Sequence, residues 1–163
     1  MTQPHRRTFL LASATAALAS AVPALAATAD PYAGSPLRKL SPADWKARLS
    51  PGAFAVLREE STEFAGTSPL LKEHRPGNFA CAGCDLPLFN AKAKYDSGTG
   101  WPSFYTAIKG ALGYKKDFAI GAERTEYHCA RCLGHQGHVF DDGPPPTGKR
   151  YCNNGVALKF TPV

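Results

Sequence analysis

The chain is poor in the features that assign a protein quickly to nucleic acid or to a membrane. Lys and Arg outnumber Asp and Glu 19 to 13 over 163 residues, yet they occur as short pairs such as Lys115-Lys116 and Lys149-Arg150. Without a basic stripe, the surplus reads as solubility and no nucleic-acid partner is expected. The one apolar-rich stretch, HRRTFLLASATAALASAVPALAATA, is diluted by Ser13, Thr15, Ser20 and Pro23, which argues against a resident membrane span. Long helical periodicity is missing as well. Fourteen prolines and fifteen glycines are costly inside helices and favour a loop-rich, mainly β architecture. Thiols are scarce outside pairs: of five cysteines only Cys152 stands apart from a C-x-x-C. A hydrophobic fraction of 44% excludes a disordered chain and suits one domain with an ordinary core.

Residues 1–26 read as a twin-arginine export signal, with Arg6-Arg7, an apolar run and Ala24-Leu25-Ala26 as the expected small-residue cleavage site. Cleavage near Ala26 removes two arginines and no acid, taking the net charge from +6 to +4. A periplasmic location is expected, with no stable membrane insertion after processing. That export route carries folded chains, so a cofactor could be loaded beforehand. Residues 27–40, including DPYAGSPLRKL, are expected to be a mobile lead-in, and residues 41–163 a single domain. Ser41-Pro42 and Ser50-Pro51 each place an N-cap before a first-turn proline, predicting two short helices. From Asn78 onward the segments NFAC, PLF, DFAIGAE, EYHC, HVF and VALKF, separated by Gly, Pro and Asp turns, predict short strands in two antiparallel sheets.

Cys81, Cys84, Cys129 and Cys132 make two C-x-x-C pairs 44 residues apart. Two such turns can complete a tetrahedral thiolate shell that suits a structural Zn²⁺, with iron also possible. FACAGCDLPLF and YHCARCLGHQGHVF form a weak internal repeat, as two facing knuckles would. Two disulfides would staple almost nothing, and a thioredoxin-like redox pair needs a βαβ setting that is not present. A local site of Cys129, Cys132, His135 and His138 would leave Cys81 and Cys84 without a role.

Cys152 lies in KRYCNNGVALKF. A continuous strand would put Arg150, Cys152, Asn154, Val156, Leu158 and Phe160 on one face, with the thiol at the rim of the core. Arg150 and Asn154 could then lower a thiol pKa that is ordinarily about 8.5; a buried structural cysteine is equally compatible. His135 and His138 follow glycines that allow both imidazoles to point one way, suiting proton transfer or mere surface placement. Trp101 in SGTGWPSFY, with Phe104 nearby, could grip an apolar group at a pocket edge or simply pack.

CAGC, DSGTGWPSFY, CARC, GHQGHVFDDGPPPTGKRYCNNGVALKF and DWKARLSP together resemble the type B methionine-(R)-sulfoxide reductases, over about Ser41 to Phe160. The resemblance implies two antiparallel sheets with short N-terminal helices and a structural zinc on the four paired cysteines. It implies Cys152 as the catalytic cysteine, with Trp101, His135, His138, Arg150 and Asn154 at the substrate and proton-donating positions. The implied chemistry is attack by Cys152 on the sulfoxide sulfur, His138 protonating the oxygen with His135 assisting, and a sulfenic acid left on Cys152. Many relatives carry a resolving cysteine where this chain has Thr99, so the implied reductant is external, a thioredoxin-like protein or a small dithiol. The substrate would be methionine-(R)-sulfoxide in oxidised proteins and the working form a monomer. A zinc-stabilised binding module and a thiol peroxidase are the alternatives; intact function after Cys152→Ser would mark the first, and peroxide consumption without sulfoxide turnover the second.

Overall fold

The computed structural model describes Met1 and residues 30–163; the twin-arginine segment and its cleavage site lie outside the described residues. Two helices come first, α1 (Pro42–Arg48) and α2 (Pro51–Glu59). Ser41 and Ser50 cap them as the sequence predicts: Asp44 N donates to Ser41 Oγ at 3.2 Å, and Ala53 N donates to Ser50 Oγ at 3.2 Å. The strands that follow are β1 (Gly77–Cys81), β2 (Pro87–Asn90), β3 (Lys94–Tyr95), β4 (Ser103–Phe104), β5 (Leu112–Asp117), β6 (Arg124–Cys129), β7 (His135–Phe140), β8 (Arg150–Asn153) and β9 (Leu158–Pro162). They form two antiparallel sheets, β2-β1-β9 and β3-β4-β8-β7-β6-β5.

An aromatic cluster joins the sheets. Phe89 stacks on Phe104 with ring centroids 4.2 Å apart, and Phe79 meets Phe104 edge-on at 5.0 Å. Tyr151 packs against both Phe89 and Tyr127. Such pairs contribute about 0.5–1.5 kcal/mol each beyond their buried area. The inner face of the six-stranded sheet is thus spent on the core, and strand alternation sends the intervening side chains to the opposite face. Register then places Asp117 opposite Arg124, Lys115 opposite Glu126, His138 opposite Cys152, Phe140 opposite Arg150, and Ser103 opposite Cys152.

Several expectations need correction. KRYCNNGVALKF is not one strand: β8 stops at Asn153, a 3-10 turn spans Gly155–Ala157, and β9 belongs to the other sheet. A Cβ on Gly155 would stand 1.8 Å from Ser68 Oγ, so the chain can cross between sheets there only because the residue is glycine. Cys152 therefore points away from the aromatic core, and Val156 is exposed. DFAIGAE is a turn rather than a strand, because the Asp117 side chain accepts the Ala119 amide at 2.8 Å and ends β5. The lead-in is held from Asp30 onward: Arg38 donates to Ala130 O at 2.5 Å and pairs with Asp30 at 2.7 Å. Phe104, expected at the substrate, is fully buried between the sheets. Phe104→Ala should lower the unfolding free energy in urea by about 3–5 kcal/mol; a loss below about 1 kcal/mol would contradict its place in the core.

Candidate active site and metal centre

The two C-x-x-C turns face each other as the internal repeat suggests, and they are built alike. Asp85 N donates to Cys81 O and Leu133 N to Cys129 O, both at 2.9 Å, with Asp85 and Leu133 at φ of 58° and 60°. Cys81 Sγ lies 3.6 Å from Cys132 Sγ, Cys84 Sγ lies 3.4 Å from Cys129 Sγ, and all four sulfurs fall within 4.8 Å of one another. A disulfide would need about 2.05 Å, whereas a tetrahedral shell with Zn–S near 2.3 Å spaces its sulfurs by about 3.8 Å. The donor set therefore fits a metal ion. The histidines are not part of it. Gln136 Nε2 donates to Cys81 Sγ at 3.3 Å and Arg58 to Cys132 O at 3.1 Å, as the backing of buried thiolates requires. Arg131 bonds Cys84 O across the two knuckles at 3.1 Å.

On the outer face of the large sheet, a cavity of about 140 Å³ is lined by Cys152, His138, Trp101, Phe140, Arg124 and Asn154, together with Thr62 and backbone of β7 and β8. Gly137 lets the strands close here, since a Cβ would stand 1.9 Å from Cys152 O. His138 Nε2 bonds Asp117 Oδ2 at 2.7 Å, and Arg124 holds the same oxygen at 2.5 Å. The donated Ala119 amide, then the His138 and Arg124 bonds, keep the Asp117 carboxyl well below the usual range. Burial lowers the His138 pKa below its ordinary value, outweighing the Asp117 bond that raises it. Burial thus favours the neutral imidazole, with Nε2 facing the Asp117 carboxylate.

Cys152 departs from expectation. Burial raises its pKa, and the Arg150 charge and the Thr99 and Arg150 hydrogen bonds offset that only in part. The two polar residues expected to assist the thiol are each engaged elsewhere. Arg150 is fixed by two 2.8 Å bonds to Asp142 and lies over the Phe140 ring at 4.4 Å. Asn154 is tied by Nδ2 to Gln136 O at 3.0 Å, and its Oδ1 accepts the Glu63 amide at 3.0 Å. Burial thus favours the uncharged form of both groups, a thiol on Cys152 and a neutral imidazole on His138.

His135 sits behind His138, ring to ring 5.5 Å, and does not line the cavity. Its Nδ1 is 3.1 Å from Glu126 Oε1, off the line of a straight hydrogen bond. Glu126, itself buried, also meets Lys115 at 3.1 Å. Trp101 does line the cavity, its indole N–H donating to Glu63 O at 3.1 Å.

Glu63, Asp117, Gln136 and Asn153 are the contributors that sequence reasoning missed. The Glu63 carboxylate accepts from the Gly155 and Val156 amides, the latter at 3.1 Å, so one residue fixes both the Trp101 wall and the turn after β8. Glu63→Ala leaves two amides without their partner and should lower the unfolding free energy by about 1–3 kcal/mol in urea; an unchanged midpoint would contradict this role.

The SelR domain family model matches residues 49–162. The peptide methionine sulfoxide reductase MsrB of Thiobacillus denitrificans is 51% identical over 121 residues, 74% of this chain and 92% of that protein. The protein of the same description from Leptospira interrogans is 50% identical over 72% of this chain and 90% of its own. The mitochondrial methionine-R-sulfoxide reductase B2 of Rattus norvegicus is 47% identical over 76% and 75%. With both C-x-x-C turns and every residue that lines the cavity inside one matched span, the chain belongs to the SelR-domain family, the methionine sulfoxide reductases of the MsrB type.

Proposed function

We propose that the enzyme reduces methionine-(R)-sulfoxide to methionine, in oxidised proteins and as the free amino acid. The observation that carries this reading is His138 standing directly across a strand pair from Cys152, inside a cavity large enough for one side chain. Sulfoxide reduction needs a sulfur nucleophile and one proton for the departing oxygen. Cys152-SH beside neutral His138 holds that inventory. As the Cys152 sulfur attacks, the thiol proton passes to His138 Nδ1 and on to the sulfoxide oxygen. The oxygen moves from the methionine sulfur to Cys152, so methionine is reduced and Cys152 becomes a sulfenic acid. Trp101, held by Glu63, takes the S-methyl group and so favours the R epimer. Arg150 and Asn154 keep β8 and its turn in place, and His135 with Glu126 supports His138 from behind.

The four paired cysteines are close to one another and buried, and Thr99 stands at the loop position where the family resemblance places a resolving thiol in many members, so no second thiol serves Cys152. An external thiol therefore attacks the sulfenic acid, releasing water and leaving a mixed disulfide that a second thiol cleaves; a thioredoxin-like protein or a small dithiol fits this role. Cys81, Cys84, Cys129 and Cys132 would hold Zn²⁺, which supplies cross-linking of the two knuckles and no redox chemistry. The enzyme acts as a monomer in repair of oxidised proteins, exported to the periplasm by the twin-arginine signal with the metal in place.

The test is turnover of separate R and S epimers of N-acetyl-methionine sulfoxide with dithiothreitol, beside Cys152→Ser, with metal measured on the same preparation. Turnover of R alone, its loss in Cys152→Ser, and one zinc per chain are expected. Turnover surviving Cys152→Ser, or a stoichiometric internal disulfide after substrate without reductant, would overturn the scheme.

A further inference from the structure

The two loops that brace the catalytic cavity carry bare apolar side chains. On one side, Phe64 follows Glu63, whose carbonyl holds Trp101, and Gly66 N bonds Gly100 O at 2.8 Å to fasten this loop beside the Trp101 turn. Phe64 is 87% exposed. On the other side, Phe118 and Ile120 follow Asp117, whose carboxylate holds His138 and Arg124. They are 60% and 66% exposed, in a turn reading Phe-Ala-Ile-Gly-Ala from 118 to 122 with no charge. A single exposed apolar residue is ordinary. Here, however, three large ones lie in the two loops that brace one cavity: Phe64 two residues from the lining Thr62, and Phe118 and Ile120 within three residues of Asp117, which holds the lining His138 and Arg124, in loops where polar turn residues are usual.

The cavity admits one side chain, so the polypeptide attached to it must leave through the mouth and run past the loops that brace its walls. An extended segment advances about 3.3 Å per residue, which brings the immediate neighbours of a bound methionine sulfoxide onto the rim. Methionine is ordinarily a core residue with apolar neighbours. We propose that Phe64 on one side and Phe118 with Ile120 on the other form a docking surface for an extended polypeptide, selecting methionine sulfoxides flanked by large apolar residues. This rests on the reading of the cavity as a methionine sulfoxide site.

The experiment compares kcat/KM, with dithiothreitol as reductant, for acetyl-Phe-Met(R)O-Phe-amide and acetyl-Ser-Met(R)O-Ser-amide, using N-acetyl-methionine-(R)-sulfoxide as the internal reference. The wild-type chain should favour the phenylalanine peptide by about tenfold, mostly through KM. In the triple variant Phe64→Ser, Phe118→Ser, Ile120→Ser that ratio should fall close to one, while the serine peptide keeps its rate relative to the reference. A wild-type ratio near one, or a tenfold ratio that survives the triple substitution, overturns the docking surface while leaving the site reading intact. No turnover of any of the three substrates by the wild-type chain overturns both.

Discussion

The register between β7 and β8 is the constraint on which the rest depends. It sets His138 against Cys152 and Phe140 against Arg150, so the imidazole and the thiol are neighbours by strand pairing and not by loop conformation. One residue of slippage in β8 would turn Cys152 to the aromatic core and leave His138 alone on the outer face. What prevents slippage is on the other face: Tyr151 and Asn153, alternating with Cys152, are locked among Phe89, Tyr127 and Gln136. The core therefore positions the chemistry without touching it.

A buried polar thread extends that control to the metal centre. Gln136 donates to Cys81 Sγ, Asn153 donates to Gln136 Oε1 at 3.3 Å, and the Tyr127 hydroxyl donates to Asn153 Oδ1 at 2.9 Å. Asn153 and Gln136 are fully buried, where an unpaired amide is costly, so each member of the thread depends on the next. The four cysteines, remote from Cys152 in chemistry, are thereby joined through two side chains to the strand that carries it.

Much of this was legible in the residue order. The caps at Ser41 and Ser50, the two cysteine knuckles and the strands around Phe79, Leu88 and Tyr127 follow from local rules, because each depends on neighbours a few residues away. Long-range features were not legible locally. The break at Asn153-Asn154-Gly155 was read as part of a strand because alternation continues through it by chance, and only the contact with Ser68 reveals that the chain changes sheets. The Cys152 environment differs from the expectation for a related reason: Arg150 is two residues away in sequence, but Asp142, eight residues before that arginine, holds it by two 2.8 Å bonds. Phe104 sits three residues from Trp101, yet the two belong to opposite sides of the sheet. Glu63 gave no signal, since its partners lie at positions 101 and 154–156.

That one proton is shared between a thiol and a neutral imidazole is tested most directly by the pH dependence of kcat/KM for methionine-(R)-sulfoxide. Burial moves His138 below 6.5 and Cys152 above 9.0. The one-proton form therefore persists between those values, with a second proton added only below and the thiol proton lost only above. A flat profile from about pH 6.5 to 9.0, falling on both sides, is the predicted result. A rate that climbs steadily through pH 7 and 8, as an ordinary thiol ionising alone would give, would contradict it.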